Sequence, residues 1–279
     1  MIHAPISAAP GSSTAMTMIA TLLEQRTGQQ IGASRAWRLD AALKPILRDL
    51  SIRSLDDLVS QLIVAENRAL SDQVVDALLN QETSFFRDAG VLDGIADALV
   101  ALRATASTRR LRIWSSGCST GQEPLSLAIL LHERGLDADA VEIVATDVSV
   151  GAIARARSAR YSQFEIQRGL SVRRMMTWFE GEGPEWTANP DLVRRVQFRR
   201  QNLVVDAPPA GGFDLILCRN VMLYFSPELR RDVFARLARA ARPGALLVLG
   251  AGETVIGQTD LFAPAHDLRG MYRRTDAKA

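Results

Sequence analysis

Four short apolar runs constrain most strongly how this chain can fold: LRIWSS (111–116), VEIVATD (141–147), FDLILCR (213–219) and ALLVLGAG (245–252). Each is bounded by turn-forming residues and is apolar almost throughout, the pattern of a parallel strand covered on both faces. Helical stretches separate them. PLSLAILLHERG follows the first run, SVGAIARARSAR the second, and SPELRRDVFARLARAARPG precedes the fourth. Ser149 and Ser226 stand where N-caps belong, with Pro227 at the first helical position and Gly244 closing the last helix. Strand alternating with helix implies an α/β doubly wound sheet.

Upstream of Arg110 the periodicity is helical only. TMIATLLEQRTG ends on a glycine suited to a C-cap. Ser54 precedes Leu55, Leu58, Val59, Leu62 and Ile63, and Ser71 precedes Val74, Val75, Leu78 and Leu79, each set on one helical face. The expected organisation is a flexible tail over 1–14, an all-helical domain over 15–80, a linker with a connecting helix over 81–110, and the α/β domain over 111–279. The stretch from Tyr161 to Asn202 is too long for a plain connection. It holds two tryptophans, the turn EGEGPEW and the basic end LVRRVQFRR, so a small subdomain is expected over about 161–201. Arg194, Arg195, Arg199 and Arg200 read as a solvated face.

Composition removes several classes. Charged residues are 23% and hydrophobic residues 47% of 279, a soluble globular balance with enough apolar material for one large core and a smaller one. A net charge of +2 does not argue for nucleic acid. No apolar run reaches the 18 or so residues of a membrane span. The start, MIHAPISAAPGSSTA, lacks the charge and apolar stretch of a secretory signal, and Cys118 and Cys218 make no disulfide framework, so a cytoplasmic location is expected.

The chemistry is expected at GCSTGQEP (117–124), where the first strand turns into its helix. Gly117 and Gly121 allow positive φ and close backbone approach to a ligand. The loop lacks the lysine of a phosphate-binding loop and the spacing of a dinucleotide fingerprint, so by spacing alone it is equally a plain tight turn. Asp147, ending the second run, can accept hydrogen bonds from ribose hydroxyls. Glu123 lies in the first turn of the helix, where it suits the helix dipole as well as a ligand. An acidic lining fits a nucleoside carrying a positive centre and an ammonium better than a pyrophosphate.

NQETSFFRD, WSSGCSTGQEPLSLAILL, ATDVS, QNL and FDLILCRNVMLYF, in this order, resemble the chemotaxis receptor methyltransferases of the CheR family. The likeness runs from about Ile19 to Tyr272. It implies a Rossmann-like class I methyltransferase sheet with an N-terminal helical domain and an inserted β-subdomain. The implied cofactor is S-adenosylmethionine, leaving as S-adenosylhomocysteine. The implied reaction is methyl esterification of glutamates in the cytoplasmic helical region of chemoreceptors, by a monomer that binds neither nucleic acid nor a metal. By the same resemblance Thr83 and Arg87 close over the cofactor and face the methyl, while Glu123 and Asp147 hold its adenosyl and methionine parts. Asn202 and Leu203 flank the adenine, Arg219 and Asn220 line the pocket with Gly117, and Tyr224 stands by the methyl group. Arg87 and Tyr224 are the implied catalytic residues.

Four departures qualify the likeness. Gln81 stands where relatives commonly carry Asn, keeping an amide of different reach, and Gln122 replaces a usual Glu next to the retained Glu123. Pro45 interrupts ALKPILRDL in what is usually an arginine-rich helix. The turn GEGP is a few residues short of relatives that dock a receptor's tether peptide, so tether docking is not implied here. Arg26 to Arg53 nevertheless carries Arg26, Arg35, Arg38, Lys44, Arg48 and Arg53 against Asp40 and Asp49, a face that either meets an acidic helix or is simply solvated. The chemistry asks little of acids and bases, since a glutamate of pKa about 4.3 is already ionised and the leaving group is a neutral thioether. His3, His132 and His266 form no constellation. The alternatives in the same residues are a non-catalytic cofactor-binding signalling module and a methyltransferase for another protein, a small molecule or RNA.

Overall fold

The computed structural model describes residues 11–31, 36–64, 67–105, 109–268 and 270–277, and the chain divides into two compact units, Met1–Asn80 and Gln81–Ala279. The first unit holds helices α1 (Gly11–Thr27), α2 (Ala36–Asp49), α3 (Leu55–Val64) and α4 (Arg68–Leu78). Helix α1 begins at Gly11, ahead of the expected tail boundary. Ile19, Leu23, Leu43, Leu58 and Val74 are all but fully buried and make this unit's core. Gly28 ends α1 at φ 74°, donating its N–H to the Glu24 carbonyl, and the Ser54 hydroxyl accepts from Asp57 N at 3.1 Å. Three local expectations differ. The α4 cap is Asn67, whose side chain accepts from Leu70 N, and Ser71 is buried one turn inside the helix. Asn67 precedes the first helical N–H groups and so can reach them, which Ser71 cannot. Ile63 is exposed rather than packed with its helix face. Pro45 lies inside α2, which runs on through it: one missing N–H is tolerated where Leu39 and Leu43 bury the helix.

The second unit opens with α5 (Ala89–Thr105) and continues through β1 (Leu111–Ser116), α6 (Gln122–Glu133), β2 (Val141–Asp147) and α7 (Val150–Ser158). An insertion follows: β3 (Arg160–Ser162), α8 (Gln163–Gln167), α9 (Val172–Trp178), β4 (Phe179–Glu182), β5 (Glu185–Ala188) and α10 (Pro190–Val193). The chain then returns through β6 (Val196–Arg200), β7 (Phe213–Cys218), a 3-10 turn (Met222–Tyr224), α11 (Pro227–Ala240), β8 (Ala241–Leu249), β9 (Phe262–Pro264) and β10 (Met271–Arg274). The large sheet runs β6-β2-β1-β7-β8-β10-β9. Its first five strands are parallel, and β10 is antiparallel to both neighbours. Numbered by the parallel strands alone the order is 3-2-1-4-5, Rossmann-like, with the topological switch point at β1. Every residue of β7 is buried, its apolar residues as a strand covered on both faces requires and its Asp214 held by the Arg109 guanidinium and Arg112 N.

The insertion is a three-stranded sheet, β3-β5-β4, joined at β4 and β5 by a tight turn with Gly183 at φ 60°. Val196–Arg200, expected inside it, is instead the edge strand of the main sheet. Only Val196 and Phe198 of β6 are buried, so an edge strand with one wet face shows none of the continuous apolar character of its neighbours. The nearby arginines are locally bonded: Arg194 to Asp191, Arg195 to Asp137, Arg199 to Gln197 and Arg200 to the Val148 carbonyl. Gly244 does not close α11, which is C-capped by Ala241; it bends β8 at φ 72°. No helix among the described residues is long and apolar enough to cross a membrane.

Candidate functional site

The loop between β1 and α6 is held open at the carboxyl ends of the strands by backbone that only small residues permit. Gly117, Ser119 and Gly121 have φ of 75°, 49° and 94°. A Cβ on Gly117 would stand 2.5 Å from the Val221 side chain, and one on Gly121 would stand 3.0 Å from Ala156 and 3.2 Å from the Phe198 ring. Asp147, at the end of β2, fastens this loop from below. One carboxylate oxygen accepts from Ser119 N at 2.8 Å and the other from Ser149 N at 2.9 Å. Ser149 in turn caps α7, so one carboxylate aligns the starts of two helices. The Tyr161 hydroxyl donates to the Thr120 carbonyl, which ties the insertion to the loop.

Gln81 reaches the same place. The Ser119 hydroxyl lies 2.8 Å from its Oε1 and 3.0 Å from its carbonyl, so the longer amide meets the loop. Gln122 is buried, and its side chain accepts from the Thr120 hydroxyl. Farther along the linker, Phe86 donates its N–H to Ser126 of α6. Phe85 is buried edge-on against Tyr161 and Phe179, at 5.0 and 5.3 Å between centroids, a packing role as its apolar character suggests.

Glu123 does not stand alone. Its carboxylate accepts from Ser115 Oγ at 2.8 Å and from Arg219 Nη1 at 3.1 Å. The Arg219 side chain is 3% exposed, also pairs with Asp88, and donates to the Arg87 carbonyl at 3.4 Å. A buried cation without partners is costly, so two carboxylates and a carbonyl are what hold Arg219 here. Arg219 thereby joins the linker Gln81–Asp88 to the loop after β7, which carries Asn220 and Tyr224. Thr83 and the Arg87 side chain are half-buried on that linker, and Arg87 Nη1 lies 3.4 Å from the Glu82 carbonyl. On the other flank Gln201 N donates to the Asp147 carbonyl, bringing the buried Asn202 and half-buried Leu203 beside β2. Asn202 Oδ1 accepts from Val204 N, which shapes that turn.

Four of the six non-glycine residues at positive φ among the described residues, Phe86, Asp88, Ser119 and Asn220, lie in these loops. Strained backbone collects where geometry serves a ligand. The structure also fits an S-adenosyl cofactor on its own terms. Asp147 ends β2, next to the switch-point strand β1, with oxygens that accept more than one bond each, and Arg219 Nε is buried with no hydrogen-bond partner among the described residues. The basic side chain here is paired with acids, and no lysine lies among the described residues of the second unit, an arrangement unlike a pyrophosphate cradle. Burial pushes the Cys118 and Cys218 thiols well above their usual range, so both are inert packing groups. Among the described residues no group of His, Cys, Asp or Glu is placed to hold a metal ion.

Ser115 and Asp88, which bond Glu123 and Arg219, were not singled out by the sequence. Asp88 and Arg219 are far apart along the chain, and only the folded linker brings them together. Ser115 had a local signal, since the second-last residue of a buried strand at the switch point is a place where a hydroxyl needs a partner.

Residues 81–269 match the family described as "CheR methyltransferase, SAM binding domain". A chemotaxis protein methyltransferase of Vibrio parahaemolyticus is 37% identical over 246 residues, covering 86% of this chain and 89% of that protein. Chemotaxis protein methyltransferase 1 of Pseudomonas aeruginosa is 35% identical over 247 residues, 86% and 90% of the two chains. A chemotaxis protein methyltransferase of Listeria monocytogenes is 30% identical over 195 residues, 70% and 73%.

Proposed function

The chain belongs to the CheR methyltransferase family, and from that membership we infer that it transfers the methyl group of S-adenosylmethionine to glutamate side chains of chemoreceptors. The product is a glutamate methyl ester, made in the service of sensory adaptation. In this reading the acceptor is the cytoplasmic helical region of the receptor, and the enzyme works as a cytoplasmic monomer.

The observation that carries the reading is the double anchorage at the switch point. Asp147 secures the Gly117–Gly121 loop on one side, and Arg219 secures the linker on the other. A ligand seated between them meets an acid at the ribose position and, at the amino-acid position, the Arg219 guanidinium shared by Glu123 and Asp88. S-adenosylmethionine, when bound, supplies a methyl carbon on a positively charged sulfur. Gln81, Thr83, Gly117, Glu123, Asp147, Asn202, Leu203, Arg219 and Asn220 are assigned to holding it. Arg87 attracts the acceptor carboxylate, and Tyr224 donates a hydrogen bond that orients it. Held by these residues, the cofactor would supply that methyl for in-line transfer to the carboxylate oxygen, the electron pair of the broken carbon–sulfur bond staying on sulfur. No proton moves, so the residues contribute by alignment, which can supply on the order of 7–11 kcal/mol. Asp88 and Ser115 keep Arg219 and Glu123 in place for that alignment.

The test is transfer of labelled methyl groups to receptor-enriched membranes, followed by mass spectrometry for alkali-labile esters on glutamate. Label at receptor glutamates is the expected result. A protein that binds S-adenosylhomocysteine yet leaves receptors unlabelled would be a non-catalytic signalling module or a methyltransferase for another substrate.

A further inference from the structure

We propose that Glu253, which no motif points to, is a positioning residue for the methyl transfer; the inference rests on the function proposed above. Its carboxylate accepts three backbone N–H groups: Asn220 at 2.8 Å, Gly250 at 2.7 Å and Leu223 at 3.3 Å. Asn220 and Leu223 belong to the loop after β7, which begins with Arg219 and ends in the turn carrying Tyr224. Gly250 is the first residue beyond β8, and Glu253 N closes the turn onto its carbonyl at 2.9 Å. One side chain therefore fastens the loops leaving two adjacent strands to each other. The N–H groups it takes lie past the strand ends, where no ladder partner exists to satisfy them.

A carboxylate suits this task for two reasons. Only oxygen acceptors face the three donors, and charge makes each bond about twice as strong as a neutral one. The contact has no slack. A Cβ added to Gly250 would lie 2.7 Å from Asn220 Nδ2, 2.8 Å from Glu253 Oε2 and 2.9 Å from Asn220 N. Asn220 itself is held at φ 59°, a conformation that needs outside support in a residue with a side chain. Without Glu253 the segment Asn220–Tyr224 would relax, moving the Tyr224 hydroxyl relative to Arg219 and Arg87, which are anchored separately.

The experiment compares the full-length protein with E253A, E253Q and G250A by receptor methylation kinetics, S-adenosylhomocysteine calorimetry and thermal unfolding. E253A is expected to lower kcat about 10²-fold, the cost of a displacement near 1 Å, while the dissociation constant for S-adenosylhomocysteine rises by a smaller factor, since Asn220 is the one residue of the relaxed segment assigned to the cofactor. E253Q keeps an oxygen for Asn220 and Gly250 and loses only the Leu223 bond, so its kcat falls roughly fivefold. G250A disturbs the same contact with the carboxylate intact and should behave like E253A, which keeps the inference testable if E253A does not fold. Turnover of E253A or G250A within about threefold of the unsubstituted protein, well short of that displacement cost, overturns the inference. So does an E253Q as impaired as E253A with a matching loss of thermal stability, since that is plain structural damage. An unsubstituted protein without transfer overturns the proposed function and this inference together; transfer with an indifferent E253A overturns this inference alone.

Discussion

Glu123 and Arg219 show how a residue's meaning changes once its partner is known. Read along the chain, Glu123 is an acid at a helix start that selects a cationic ligand by its charge. In the fold it shares the single guanidinium of Arg219 with Asp88, so its charge is only partly offset and the site stays acidic while its hydrogen-bond geometry is fixed. Arg87 divides into two parts with separate duties. Its carbonyl accepts from Arg219 and supports the cofactor side, whereas its guanidinium has only the Glu82 carbonyl at 3.4 Å as a described hydrogen-bond partner. Arg87→Ala keeps the carbonyl and removes the guanidinium. Methyl transfer should therefore fall by about 10²-fold with S-adenosylhomocysteine affinity nearly unchanged, as parallel transfer and calorimetric assays would read. Equal losses in both would remove Arg87 from the acceptor side.

Elements were legible in proportion to how local their causes are. The strands β1, β2, β7 and β8 and the caps Ser54, Ser149 and Ser226 announce themselves through apolar runs and hydroxyls at helix starts. Strands β6, β9 and β10 do not, because an edge strand or a short terminal hairpin has a wet side and no continuous apolar run. The link from α8 to α9 depends on Gly169, at φ 112°, whose Cα faces the Phe85 carbonyl so closely that any Cβ would overlap it. Gly169→Ala should cost about 2 kcal/mol or more in denaturant unfolding, and lower transfer as well, since Phe85 sits two residues before Arg87. A midpoint unchanged from the parent protein would contradict this packing.

Across the whole molecule, ion pairs between distant elements make stability depend on acidity. Arg174 of α9 grips Glu133 of α6 at 2.7 and 3.0 Å while its guanidinium lies over the Phe86 ring, and Arg112 of β1 holds Glu142 of β2 at 2.9 Å. Hydrogen bonding to these arginines keeps both carboxyls below the ordinary glutamate range. A depressed carboxyl stabilises the fold above its unfolded pKa of about 4.3 and loses that contribution as the pH falls through the folded value. Calorimetric midpoints should thus hold steady between about pH 7 and 5 and decline below about 4.3, with a shallower decline in Glu142→Gln. A midpoint as high at pH 3.5 as at pH 6 would exclude these pairs as contributors. The sequence by itself determined the α/β order, the switch-point loop and the family, since hydrophobic period, turn residues and motif order are properties of neighbours along the chain. Only the tertiary structure decided that Arg219 bridges Glu123 and Asp88, that Asp147 aligns two helix starts and that Glu253 joins two loops. The Asp147–Ser119, Glu253–Asn220 and Arg219–Glu123 bonds span 28, 33 and 96 residues, and no local pattern encodes a partner that folding alone brings within hydrogen-bond reach.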